Sequence, residues 1–156
     1  MSATGYRQQL LGFSIAELML AMAILAILAA IAIPAYKGYV QTSEMGGAVQ
    51  EMKQIELAVE NYKLDTGAYP NSLADIEIDM LDPWDNPYQY LRIEGAGNKA
   101  KGHQRKDHSL VPINSDFDLY SMGKDGKSSP PLTAASSQDD IVRANNGAYY
   151  GYGRDY

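Results

Sequence analysis

The 21 positions from Phe13 to Ile33 are apolar almost without a break, and Glu17 is the one charge among them. Wound as a helix at about 1.5 Å per residue, they reach about 31 Å, which matches the roughly 30 Å hydrocarbon core of a bilayer. A cleaved secretory signal is the competing reading, because Ala30-Ile31-Ala32 has the small residues of a cleavage site. The apolar run, however, exceeds the usual span of about 7–15 residues. Arg7 is the only charge ahead of the run and places the short N-terminal segment in the cytoplasm and the bulk of the chain outside.

Beyond Pro34 the pattern changes. Apolar residues persist at Val40, Met45, Ala48, Met52, Ile55, Val59 and Tyr62, and the last five step by 4, 3, 4 and 3. That spacing predicts an amphipathic helix whose stripe packs under the rest of the chain, with Glu51, Glu56, Glu60 and Lys63 on the wet side. Ser43 and Gly46-Gly47 weaken it locally. Asp65-Thr66-Gly67 and Pro70 end it. One helix is therefore expected over 13–64, with a membrane-spanning part at 13–34 and an amphipathic part at 35–64. A C-terminal domain follows over 65–156. Within it, Tyr88 to Ile93 alternates with period two, and Phe117 to Ser121 does so less cleanly. The prolines flanking Trp84 fix a corner before the first of these strands, and Glu94 to Asn114, rich in Gly, Lys and polar residues, reads as a loop. The expected class is α+β: a long N-terminal helix on a small antiparallel β-sheet domain with long loops.

Composition narrows the function. In 156 residues, 13 Lys and Arg stand against 19 Asp and Glu, a net charge of −6. Binding nucleic acid with the whole surface is thereby disfavoured. The absence of Cys removes disulfides, thiolate metal sites and thiol catalysis, leaving packing or an oxygen-ligated metal as the staple for a loop-rich domain. Lys99, Lys101, Arg105 and Lys106, with His103 and His108, form the one basic cluster. It reads as an exposed loop in an acidic protein rather than a DNA contact, and two histidines without a third ligand make no zinc site. No catalytic or phosphate-binding motif is present. Asp125-Gly126 and Asp139-Asp140 admit two readings: a turn and a helix cap, or part of a calcium cradle. The Tyr- and Gly-rich tail from Tyr149 is open between disorder and stacking on a neighbouring subunit.

Glu17 is the anomaly, since a lone carboxylate inside an apolar membrane helix costs about 3 kcal/mol or more. Its surroundings, Gly12-Phe13-Ser14-Ile15-Ala16-Glu17-Leu18-Met19, resemble the processing motif of the type IV pilin-like superfamily, with Ser14, Ile15 and Ala16 in place of the more usual Thr-Leu-Ile. Farther on, Thr66-Gly67-Ala68-Tyr69-Pro70, the segment Asp82 to Tyr90 (DPWDNPYQY), Asp118 to Gly126 (DLYSMGKDG) and Asp139-Asp140-Ile141 are similar to motifs of the major pseudopilins of type II secretion systems. The likeness weakens at 95–108, at the long connection Ser128 to Gln138 and after Ala144.

The resemblance implies a leader, 1–12, removed after Gly12 by a prepilin peptidase that also methylates the new amine of Phe13. It implies that Glu17 pairs with the Phe13 amine of a neighbouring subunit, and that Pro34, the twenty-second residue after the cut, loosens or kinks the helix. The implied setting is the inner membrane, with the N-terminus cytoplasmic and the C-terminal domain periplasmic. There the subunit forms a homopolymer, alongside minor pseudopilins, an assembly platform and a secretin. One calcium ion is implied in the late loop, held by Asp125, by Asp139 or Asp140, and by the Met122 carbonyl. No enzymatic activity is implied. Two alternatives stand beside this reading: a type IV pilin for adhesion, motility or DNA uptake, and a membrane-tethered periplasmic binding or enzymatic domain.

Overall fold

The structure, a computed structural model, describes residues 12–156, so the leader expected at 1–12 lies outside it but for Gly12. Helix α1 runs from Ile15 to Thr66, 52 residues, and carries Pro34 internally. Its start is set by Ser14, which bonds reciprocally with Glu17, and its end by Gly67, whose φ of 82° is the left-handed conformation that favours glycine. The Gly67 amide donates to the Lys63 carbonyl at 2.8 Å and closes the last turn. The ends lie within two residues of the expected ones. The chain divides into two compact units, one up to Val40 and the other Gln41–Tyr156. Within the second unit the domain begins to hold the helix at Glu44, which accepts from the Trp84 indole at 3.2 Å.

In the second unit four strands form one antiparallel sheet in sequential order: β1 (Gln89–Arg92), β2 (Phe117–Ser121), β3 (Ile141–Ala144) and β4 (Tyr149–Tyr152). Tyr90 faces Leu119 across β1 and β2, and Val142 faces Gly151 across β3 and β4. The first two strands match expectation. The last two were hidden by composition: Asn145, Asn146 and Gly147 all take positive φ (52°, 54° and 87°) and turn the chain tightly, so the tyrosine-rich tail pairs as a hairpin strand.

The pleat divides the sheet's chemistry. Phe117, Leu119 and Ile141 face α1 and enclose Ala48, Met52, Ile55 and Val59, with Tyr69 and Tyr88 closing the cluster. The opposite face carries Tyr120, Val142 and Ala144, covered by Ile113, Leu132, Tyr149 and Tyr156. The loop expected at 94–114, the long connection after Ser128 and the tail thus supply a second layer.

The acidic flank of α1 also departs from expectation. Glu51 accepts from the Tyr88 hydroxyl at 2.6 Å, Glu60 from Tyr69 at 3.0 Å, and Glu56 from Tyr150. These glutamates adjoin the stripe rather than oppose it, so they border the buried seam, where phenols reach them. Burial, reinforced by the neighbouring carboxylates, raises the pKa of Tyr88 and Tyr150 above the ordinary phenol value. Glu56 also takes Arg143 at 2.8 Å, and Asp116 takes the same guanidinium at 2.7 Å on its far side.

Candidate functional site

Two regions hold the residues singled out by sequence. The first is the start of α1. Every residue from Gly12 to Tyr39 is exposed, and Phe13, the expected mature N-terminus, is 92% exposed. The helix is long and apolar enough to cross a membrane. Glu17 lies one turn inside. Its carboxylate accepts from the Ser14 amide at 2.8 Å and the Ser14 hydroxyl at 2.9 Å, while the Glu17 amide donates to Ser14 Oγ at 3.2 Å. This is a capping box, and Ser14-x-x-Glu17 was its legible signal. Within one chain Glu17 already satisfies donors at the helix N-terminus, where the peptide dipoles favour negative charge. The box holds the carboxylate beside Phe13, where a second donor from a neighbouring chain can also reach it.

The second region is the late loop. Asp82 anchors its base: Oδ1 accepts from the amides of Trp84 (3.0 Å) and Asn86 (2.8 Å), and Oδ2 accepts from the Ser121 hydroxyl at the end of β2. Asn86 then donates to the Gly123 carbonyl at 2.8 Å, so the DPWDNP corner and the SMG turn are one hydrogen-bonded unit. Gly123 has φ 63°, and a Cβ there would stand 2.3 Å from the Asp139 carbonyl oxygen, which excludes any other residue.

Of the expected calcium ligands, Asp125 and Asp139 lie together, and Asp140 is turned to a different partner. Asp125 caps its own turn, accepting from the Lys127 amide at 2.8 Å, and its amide donates to Asp139 Oδ2 at 3.2 Å. Asp140, fully enclosed, gives Oδ2 to the guanidinium of Arg105 and to the Ser128 hydroxyl. No bond joins Met122 to this group, and among the described residues no three acidic or histidine side chains gather as a metal cage. Calcium takes six to eight oxygens, and Asp140, already claimed by the Arg105 guanidinium, does not fit that role. Burial pushes the Asp140 carboxyl up, and Ser128 and then Arg105 oppose that shift.

Arg105 was expected on an exposed basic loop, and it is 1% exposed. Lys101, His103 and His108 do lie at the surface, which disperses the cluster and leaves the DNA reading without its most basic member. Nothing local distinguishes Arg105 from Lys101 or Lys106 in sequence, because its partner Asp140 lies 35 residues away.

The type II secretion system core protein G of Pseudomonas aeruginosa is 32% identical over 143 residues, covering 78% of this chain and 88% of the relative. The protein of the same name from Pectobacterium carotovorum is 29% identical over 146 residues, covering 91% and 88%. Fimbrial protein EcpC of Eikenella corrodens is 46% identical, but over 59 residues, 38% of this chain and 39% of its own. No family model and no solved structure matches. With an all-round exposed apolar helix, a four-stranded antiparallel domain and a likeness of this extent, the chain belongs to the family of type II secretion system core protein G, the pilin-like major pseudopilins.

Proposed function

We propose that the chain is the main structural subunit of a short periplasmic filament that drives folded proteins out through an outer-membrane secretin. The observation that carries the proposal is the exposed start of α1, apolar from Ile15 to Ile33 but for Glu17, in a chain whose domain keeps its own core. A helix apolar on every side is stable in lipid or in a ring of like helices, and in water it is neither. The subunit accordingly waits in the inner membrane and moves into a fibre core, where helix–helix packing offsets extraction from lipid. A prepilin peptidase removes the leader after Gly12 and methylates the amine of Phe13. Glu17 of each subunit receives that amine from a neighbour, which aligns successive helices. Minor pseudopilins, an assembly platform and a secretin complete the machine. The role is structural rather than enzymatic.

The intact mass of protein isolated from membranes, with N-terminal peptide mapping, tests processing. The expected chain begins at methylated Phe13. A chain beginning near Met1 would make the helix a plain anchor, and one beginning near Ile33 a conventional signal; either overturns the filament. Assembly is tested by Glu17→Ala: processing is expected to continue while filament yield collapses, and normal filaments from this variant would remove the pairing step. Long surface fibres in place of a short periplasmic one would move the assignment to a type IV pilin.

A further inference from the structure

Asp140 ends the connection from Gly123 to β3, where the resemblance expects an ion to pin the connection shut. We propose that an internal guanidinium does this instead: Arg105 is the cation of the late loop, and the loop closes independently of calcium.

The geometry supports an exchange of one cation for another. A calcium ion closes a loop by drawing carboxylates and carbonyls from separated positions onto one centre. Arg105 does the same with a planar fork of donors. Nη1 donates to the Ser128 hydroxyl and, at 2.6 Å, to the Ser129 carbonyl, while Nη2 donates to Asp140. Ser128 Oγ turns its own proton to the same Asp140 oxygen at 2.6 Å. One side chain thereby ties the outgoing limb of the connection to its last residue. Arg105 is itself held in register. Its amide donates to Asp118 Oδ2 at 2.7 Å, its carbonyl accepts from Ile113 at 3.1 Å, and its guanidinium lies 4.3 Å from the centre of the Tyr120 ring. The neighbouring backbone zips to the connection, Lys106 donating to the Pro130 carbonyl and Leu132 to that of Lys106.

The extra length between Ser128 and Gln138 closes upon itself. The Ser129 amide donates to Ser137 Oγ at 2.9 Å, the Ser137 hydroxyl returns to the Ser129 carbonyl at 2.8 Å, and Ser129 and Ser136 share a bond at 3.0 Å. Arg105 and Asp140 are 1% and 0% exposed, so a divalent ion on Asp140 would meet a permanent positive charge in a poorly screened interior. Arg105 Nε and Asp140 Oδ1 make no further bond, and loss of either charge strands the other in the interior.

The test is made on the full-length chain purified in detergent. The melting of its C-terminal domain is followed by near-ultraviolet circular dichroism, in chelator and in about 1 mM calcium, the range typical of extracellular calcium modules. Calcium binding is measured alongside by equilibrium dialysis. The wild-type midpoint is expected to be the same in both buffers, with no ion bound in whole-number proportion, and Arg105→Gln is expected to melt about 10 °C lower in both. A wild-type midpoint that falls on chelation and returns with calcium, or one ion bound per chain, overturns the proposal. So does an Arg105→Gln chain that melts like wild type. Should that variant not accumulate, the wild-type pair of measurements decides alone. The test is independent of filament assembly, so its failure leaves the proposed function untouched.

Discussion

The two halves of α1 are built from similar apolar residues and meet opposite fates. Up to Tyr39 every described residue is exposed, including Leu18, Leu25, Leu28 and Ile31, which point in several directions around the helix. After Gln41 the apolar residues fall into one stripe, and Ala48, Met52, Ile55 and Val59 are fully enclosed by the chain's own sheet. What differs is angular distribution rather than amount of hydrophobicity. A stripe is satisfied by one neighbouring layer, which a single chain supplies. An all-round apolar surface calls for lipid or several copies of itself. Polar residues follow the same division: Glu17 is satisfied by the backbone of its own first turn, and Glu51, Glu56 and Glu60 by phenols of the domain.

The largest effect expected from breaking this contrast comes from one truncation in each half. Ile55→Ala opens a cavity among Phe117, Ile141 and the helix, and is expected to destabilise the domain by about 2–5 kcal/mol. Leu25→Ala, at a position 65% exposed, is expected to leave the domain's melting midpoint where it was. Thermal denaturation of both full-length variants in one detergent measures the pair. Equal losses would mean that the exposed half also stabilises the domain, and the division at Val40 would fail.

A smaller effect tests the acidic border of the seam. Tyr69→Phe removes the hydroxyl that donates to Glu60 and keeps the ring, which packs edge-on against Phe117 at 5.2 Å between centres. A loss of about 1 kcal/mol is expected from chemical denaturation. Tyr36→Phe, at a position 70% exposed, is expected to change nothing.

How much of this was legible followed the range of the interactions involved. Period and capping are local, so α1, its ends, the stripe and the first two strands could be read directly. The Ser14–Glu17 box was equally local and was obscured by the stronger pilin-like meaning of Glu17. The hairpin of β3 and β4 was concealed by tyrosine-rich composition, although Asn145-Asn146-Gly147 marks the turn. Arg105 lay beyond sequence reasoning. Its placement depends on Asp140 and Ser128 arriving from distant parts of the chain, and a run of basic residues gives no hint that one of them is enclosed. The glutamates were misplaced for a related reason: a helical wheel gives the angle of a residue but not how far a tyrosine on another element can reach.

The finest contrast lies within the domain, between the sheet face under α1 and the face under the loops. The loop-side face holds Asp118, whose carboxyl burial pushes up to about 6, against opposing hydrogen bonds from the Arg105 amide and the Asn114 side chain. Its folded value thus exceeds its unfolded value near 4, and the folded state binds a proton first as pH falls. The stabilisation from this group is complete below pH 4 and is lost as pH rises through 6. Between pH 7 and pH 6 the gain on acidification is about 0.4 kcal/mol. Asp140 is pushed up by burial as well, so the contribution is isolated by subtraction: the stability difference between wild type and Asp118→Asn is expected to shift in favour of wild type as pH falls from 7 to 6. A difference that is flat with pH would mean that Asp118 ionises as freely as a surface carboxylate, and that the loops do not shield this face of the sheet as α1 shields the other.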